Sequence, residues 1–272
     1  MSDTSDLAKR MKIYEAVPKN VLMRRTPVAI RIDGKAFHTF TRGMKKPFDD
    51  ILVRSMQNTM EYLCKNIQGC VFGYTQSDEI TLILIDYQTL ETSAWFDYEV
   101  QKMCSIAASM ATMAFNKYFS AAAEREISGA WENDDYFNVD YLNILKKAMD
   151  KGAMFDARCF NIPREEVCNL VYWRQLDAIR NSIQMVGQTN FSHKELQGKS
   201  CNMIKEMLVN KEDVKSWEDY PIYLQRGTAC YKANMKYVEE GISRFEWYID
   251  KNMPILKGEG REYLEKHLML DS

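Results

Sequence analysis

Pro27-Val28-Ala29-Ile30-Arg31-Ile32-Asp33-Gly34-Lys35-Ala36-Phe37-His38 is the stretch on which the fold turns. Val28, Ala29, Ile30 and Ile32 are strand-like residues bounded by Pro27 and Gly34, so the segment predicts a short buried strand that ends on a carboxylate and a glycine. A carboxylate at such a strand end stands on a rigid support where water and ligand reach it. That is where phosphoryl-transfer sites hold their anionic ligands.

A second stretch belongs beside the first. Cys70-Val71-Phe72-Gly73-Tyr74 and Ile80-Thr81-Leu82-Ile83-Leu84-Ile85 both read as strands, with turn-forming Thr75-Gln76-Ser77-Asp78 between them, so Asp78 and Glu79 lie at a hairpin tip. If the strand ending in Asp33 pairs antiparallel with the one beginning at Glu79, Asp33 and Asp78 converge at one edge of the sheet. Two carboxylates so placed repel unless a cation sits between them, and hard oxygen ligands suit Mg²⁺ or Mn²⁺. Taken singly, each motif is also what an ordinary turn is made of. Only the pair on neighbouring strand ends points to chemistry.

The rest of the chain supplies the topology. Ser5 or Asp6 caps a first helix, Leu7 to Ala16. An amphipathic helix runs from about Asp49 to Asn66, with Ile51, Leu52, Met56, Met60 and Leu63 on one face. After the hairpin, Ser93 or Asp97 opens a long helix through about Ala123, rich in small and sulfur-containing residues. Ser128 to Asp140 reads as a surface loop, and Met154 to Asn161 as a fourth strand stopped by Pro163. The order strand, helix, two strands, helix, strand is the ferredoxin-like βαββαβ pattern, an α+β fold in which the first and third strands are central neighbours. A helix with Glu165 and Glu166 in its first turn then runs towards Met185, Ser192 caps a further element, and Tyr223 to Lys232 and Phe245 to Ile249 read as late strands before a short helix from about Glu262. The expected division is a catalytic domain over 1–165 and a helix-rich extension over 166–272, packed as one unit.

Composition narrows the class. The 272 residues are 46% hydrophobic and 27% charged, as in ordinary globular proteins, and a formal net charge of -2 confines any nucleic-acid surface to a local patch. Seven cysteines, without a Cys-x-x-Cys pair, and three histidines argue against a disulfide framework or a zinc site. The polar, acidic start and the lack of a long apolar run predict a cytoplasmic protein with no membrane partner.

Six motifs then resemble, in order, the tRNA-histidine guanylyltransferase family: Arg31-Ile32-Asp33-Gly34 with Phe37-His38, Lys46-Pro47-Phe48-Asp49-Asp50, Gln76-Ser77-Asp78-Glu79, Phe155-Asp156-Ala157-Arg158, Tyr172-Trp173-Arg174-Gln175 and Arg226-Gly227-Thr228. The likeness runs from about Pro27 to Lys232. It implies reverse, 3′-to-5′ nucleotide addition to the 5′ end of tRNA on a polymerase-like palm, with GTP and ATP as substrates. By resemblance Asp33 and Asp78 ligate two Mg²⁺ ions with help from the Gly34 carbonyl, and Glu79 supports them. Gly34, Lys35, Ala36, Phe37 and His38 shape the nucleotide pocket, and Ser77, Lys46 and Lys102 contact the triphosphate. RNA is expected at basic groups such as Arg42, Lys45, Arg158, Arg164, Arg174, Lys194 and Lys199, with Arg180 touching phosphate and Tyr172 and Trp173 serving as core or subunit contacts. The family implies a homotetramer.

One motif departs from the family. Where its members carry His-Ile-Asn-Asn-Leu-Tyr, this chain has Ile179-Arg180-Asn181-Ser182-Ile183-Gln184, and only Asn181 is shared. An isoleucine donates no proton. The pattern fits the branch that repairs truncated tRNA 5′ ends against the opposing strand better than strict guanylate addition. A nucleotide cyclase or diguanylate-cyclase-like enzyme on the same palm, or a non-catalytic RNA-binding protein, are the other readings. The Arg174 and Arg226 regions weigh against the first, and retention of Asp33 and Asp78 against the second.

Overall fold

A computed structural model describes residues 5–132, 139–237 and 242–269. In chain order the elements are α1 (Asp6–Ala16), β1 (Val28–Gly34), α2 (Phe37–Phe40), α3 (Asp50–Asn66), β2 (Cys70–Gln76), β3 (Glu79–Leu84), α4 (Val100–Glu132), α5 (Val139–Lys151), β4 (Phe155–Asn161), α6 (Arg164–Asn190), α7 (His193–Leu196), α8 (Cys201–Val209), α9 (Ile222–Arg226), β5 (Thr228–Tyr237), β6 (Ile242–Asp250) and α10 (Glu262–Glu265). The strands form one antiparallel sheet in the order β4-β1-β3-β2-β5-β6. Its first four strands are the βαββαβ unit expected from the sequence. The last third of the chain adds two strands to the same sheet, because β5 pairs with β2 through Phe72↔Tyr231 to Thr75↔Thr228.

Strand alternation divides the sheet into two faces. Val28, Ile30 and Ile32 of β1 lie beside Leu84, Leu82 and Ile80 of β3, and all six are fully buried against α3 and α4. Ala29, Phe72, Tyr74, Ile83 and Ala229 line the opposite face and pack on Val167, Cys168 and Val171 of α6. Beyond Ala29 that second face turns polar, with Arg31 and Asp33 on β1 opposite Thr81 and Glu79 on β3. The apolar seal thus ends where the carboxylates begin.

Local signals place the helices well. Ser5 accepts a hydrogen bond from the Ala8 amide at 3.2 Å, and Ser192 and Glu195 form a reciprocal capping box on α7. Asp49 caps α3 by accepting from Ile51 and Leu52. Four of the seven cysteines are buried and three half-buried, all as free thiols.

Three boundaries differ from expectation. The long helix does not open at Ser93 or Asp97 but at Val100, after a 3₁₀ turn over Trp95–Tyr98, and it continues to Glu132. Much of the expected Ser128 to Asp140 loop is therefore helical, Val139 already belongs to α5, and residues 133–138 lie outside the described residues. The helix α5 carries its own buried stripe of Tyr141, Leu142, Leu145 and Ala148, a 3.6-residue period that the sequence displays. Tyr223 to Lys232 is not one strand. It breaks at Gly227, whose φ of 90° and approach to the Tyr74 ring admit no side chain, into α9 and the start of β5.

Candidate active site

The end of β1 is held from both sides. Asp33 stands in register with Glu79 of β3 and Asp156 of β4, the Gly34 amide donates to the Asp78 carbonyl at 3.1 Å, and the Lys35 amide donates to the Met154 carbonyl at 2.8 Å. The chain then turns through Ala36 in the left-handed region into α2. Phe37 drops into a ring cluster with Phe40, Phe115 and Phe155, at centroid distances of 5.2, 5.5 and 5.2 Å. That ring lies so close beneath Gly34 that a Cβ there would sit 2.2 Å from Phe37 Cδ2. Backbone from Gly34 to His38 is thereby anchored by a core residue while Lys35, Ala36 and His38 stay exposed. Rigid, exposed backbone after a glycine is a surface that phosphate oxygens can approach.

The hairpin turn brings the second carboxylate. Ser77 takes the left-handed conformation and its hydroxyl donates to Asp78 Oδ1 at 3.0 Å. Burial pushes the Asp78 carboxyl above its ordinary value, and the nearby Asp33 charge pushes it the same way, against the pull of the Ser77 hydrogen bond. A buried acid whose ionisation is disfavoured by a neighbouring carboxylate marks a site that a cation stabilises. Among the described residues no cluster of three His, Cys, Asp or Glu side chains is placed to hold a metal. Two carboxylates and a carbonyl nonetheless fit Mg²⁺, which binds through one or two carboxylates together with substrate phosphates.

Glu79 has a different environment. It is buried, and burial lifts its carboxyl above the usual range despite the opposing pull of Arg174 and Arg31. Arg174 Nε lies 2.6 Å from Oε1, and Arg31 Nη2 lies 3.2 Å from Oε2. The other end of Arg174 holds Asp177 at 2.7 Å, and Asp177 in turn takes Arg180 and, at 3.2 Å, the Asn181 amide. Trp173 lies over this network, its ring 4.4 Å from Arg174 Cζ and 5.6 Å from Arg31 Cζ.

The expected RNA contact at Arg174 is corrected by this geometry: only 6% of the residue is exposed, and both ends of its guanidinium are engaged by carboxylates. Lys102, expected at the triphosphate, lies on α4. It sits in the first turn of α4 with Nζ 4.8 Å from the Phe96 ring, ten residues before Thr112, whose hydroxyl meets the Phe155 amide at the level of Gly34. Ten helical residues span about 15 Å, which sets the Lys102 backbone back along α4 from the level of Gly34. Arg158 is exposed on the polar sheet face, 3.4 Å from Asp156. Lys46 is exposed just before α3, Arg180 is exposed over Asp177, and Lys199 lies apart between α7 and α8.

Sequence reading passed over three residues here. Arg31 has no role assigned by the Arg31-Ile32-Asp33-Gly34 motif, although alternation from Asp33 places it on the same face. Asp177 lies three residues after Arg174 on one helix face, a spacing that pairs opposite charges. Asp49 gathers the Lys45 amide at 3.1 Å and the Tyr141 hydroxyl at 2.8 Å besides capping α3, which no local pattern signals. Beside the turn, a cavity of about 90 Å³ is lined by Leu52, Met56, Gln57, Ser77, Asn181 and Tyr223.

The family model for tRNAHis guanylyltransferase matches residues 8–163. A bacterial tRNA(His) guanylyltransferase (Thg1)-like protein in complex with ATP is 36% identical with a TM-score of 0.79, covering 97% of this chain and 100% of that one. A bacterial protein of the same description in complex with GTP is 33% identical with a TM-score of 0.77, covering 98% and 100%. A probable tRNA(His) guanylyltransferase of Dictyostelium discoideum is 23% identical over 229 residues, 78% of each chain.

Proposed function

The chain belongs to the tRNAHis guanylyltransferase family of nucleotidyltransferases, and on that premise we propose that it adds nucleotides in the 3′-to-5′ direction to the 5′ end of tRNA, directed by the opposing strand. The observation that carries this reading is the convergence of Asp33 and Asp78 through the Asp33↔Glu79 register and the Gly34 to Asp78 hydrogen bond. In it the 3′-hydroxyl of an incoming nucleoside triphosphate attacks an activated 5′ end of the RNA. The 5′ end is a triphosphate, which releases pyrophosphate, or an adenylylated monophosphate, which releases AMP.

Asp33, Asp78 and the Gly34 carbonyl would hold two Mg²⁺ ions, which when bound neutralise phosphate oxygens and lower the charge barrier to transfer. The chain's own part is alignment. The anchored backbone from Gly34 to His38 receives phosphates, Ser77 and Lys46 orient the triphosphate, and the cavity beside Ser77 is open to the nucleoside. Glu79 is a support for the hairpin rather than a ligand, since Arg174 and Arg31 already occupy its oxygens.

Ile179 packs with the apolar group of Ile183, Val186 and Trp217 and offers no proton to a substrate, which supports template-directed repair over fixed guanylate addition. Residues 1–165 and 166–272 act as one unit in this reading, supported by the β2–β5 pairing that joins them. A homotetramer and a cytoplasmic site of action complete it. Among the described residues no helix is long and apolar enough to cross a membrane.

The test is incubation with Mg²⁺, labelled GTP and ATP, and a tRNA lacking its first 5′ nucleotide, beside an Asp78→Ala control. Template-matched extension that the control abolishes supports the reading. Cyclic or dinucleotide product from nucleotides alone, with no extension of monophosphorylated or triphosphorylated tRNA, overturns it in favour of the cyclase.

A further inference from the structure

Of the basic residues expected to meet RNA, Lys45 lines the groove between α3 and α4, while Arg158, Arg174, Arg180 and Lys199 do not gather. Arg174 is buried, Arg180 and Arg158 face Asp177 and Asp156, and Lys199 lies apart. Positive charge concentrates in the α3–α4 groove, of about 800 Å³. Its walls carry four basic side chains, Lys45, Arg54, Lys117 and Arg125, against two acidic ones, Asp50 and Glu126. The excess is positive on a chain whose formal net charge is -2.

Helical spacing shapes this groove. Lys117, Ala121 and Arg125 recur every four residues on one face of α4, with Tyr118 and Ala122 beside them, so two alanines form a low floor between two cations. The stripe Asp50, Arg54 and Asn58 on α3 forms the facing wall. Lys117 and Arg125 are about 12 Å apart along the axis, too far for one phosphate group and suited to a chain of them. Among the described residues no carboxylate pairs with either cation. Arg54 reaches Asp50 only at 3.9 Å, with both side chains about 70% exposed, so it is free to turn to a ligand. At one end Lys45 packs over the Tyr141 ring at 4.2 Å and pairs with Glu126 at 3.1 Å, and Phe48 lines both this groove and the cavity beside Ser77.

We infer that the α3–α4 groove binds the phosphodiester backbone of the RNA substrate, with Arg54, Lys117 and Arg125 as its phosphate contacts. This inference rests on the proposed function, since the RNA it holds is the one extended at the carboxylates. Neutral small ligands gain nothing from three spaced cations. A free nucleotide fills only a fraction of the length.

The experiment is a titration of wild type and of the Arg54→Ala/Lys117→Ala/Arg125→Ala variant with fluorescent tRNA, by anisotropy, at several salt concentrations. A Lys9→Ala/Lys251→Ala/Lys257→Ala variant, which removes equal charge from exposed positions outside the groove, is measured beside them, and GTP-induced thermal stabilisation reports on folding and on the nucleotide site. The groove variant is expected to lose at least tenfold in tRNA affinity and to lower the salt slope by about 2, at about 0.7 for each phosphate contact, while its response to GTP stays as in wild type. An affinity within twofold of wild type, or an equal loss in the control variant, overturns the inference and leaves the proposed function standing. Failure of wild type to bind tRNA at all, with GTP stabilisation intact, removes the proposed function itself and the groove's role with it.

Discussion

Arg174 on α6 and Glu79 at the start of β3 form a buried ion pair, Nε to Oε1 at 2.6 Å, across 95 positions of sequence. Through it the helix after the βαββαβ unit grips the hairpin that presents Asp78.

Replacing Arg174 by alanine leaves Glu79 buried with Arg31 alone, and the expected loss is about 3 kcal/mol of folding stability by urea denaturation at pH 7.5. The pH dependence has a definite sign. Burial already raises the Glu79 carboxyl, and losing Arg174 raises it further. An acid whose folded value is raised takes up its proton more readily in the folded chain, so stability increases as pH falls through that raised value. The deficit of the variant should shrink between pH 7.5 and pH 5. A deficit that holds constant or grows over that window would show that the guanidinium acts by packing alone.

Asp33→Asn and Asp78→Asn are each expected to lower nucleotide addition by at least about 10³-fold, the scale of several kcal/mol of charge stabilisation. Neither should lower the melting temperature without Mg²⁺, because each removes one of two mutually repelling charges. The wild-type thermal shift caused by Mg²⁺ should vanish in both. In wild type that shift should fade at a pH above the ordinary aspartate value, as the raised Asp78 carboxyl takes up its proton. A full shift in either variant places the ion elsewhere.

Gly34→Ala is expected to expel Phe37 from its cluster with Phe40, Phe115 and Phe155, since the new methyl would fall within 2.5 Å of two ring carbons. The anticipated destabilisation is about 1–3 kcal/mol, accompanied by weakened GTP binding as the Gly34 to His38 backbone shifts. Calorimetric GTP titration and a denaturation curve on one preparation separate the two effects. Unchanged values in both would show that the ring yields without moving the backbone.

Asp49→Ala removes the α3 cap and leaves the Tyr141 hydroxyl and the Lys45 amide without their acceptor. About 2–4 kcal/mol is expected, a cap of about 1–2 kcal/mol with a buried hydroxyl added. Tyr141→Phe, which keeps the cap, should cost only about 1 kcal/mol, and equal losses in the two variants would refute the division.

Much of this molecule is written locally. The alternation of Val28 to Ile32 and of Ile80 to Leu84, the turn residues at Ser77 and Asp78, and the caps at Ser5, Asp49 and Ser192 specify strands, hairpin and helix starts from neighbours a few residues apart. The element order then leaves Asp33 and Glu79 little choice but to face each other. The boundary at Gly227 escaped notice because it depends on Tyr74, packed against it from another strand.

The fate of the charged side chains is of the latter kind. By itself the sequence determined the four strands of the βαββαβ unit, which face of β1 is apolar, and that Asp33 ends β1 while Asp78 lies in the turn leading into β3, because side-chain period and turn chemistry act over a few residues. Only the tertiary structure decided that Arg174 is buried against Glu79, that Lys102 packs over the Phe96 ring, and that Arg54 and Arg125 share one groove. A charge has no local preference for carboxylate, water or phosphate. Its partner is set by burial and by what long-range packing brings within a few ångströms.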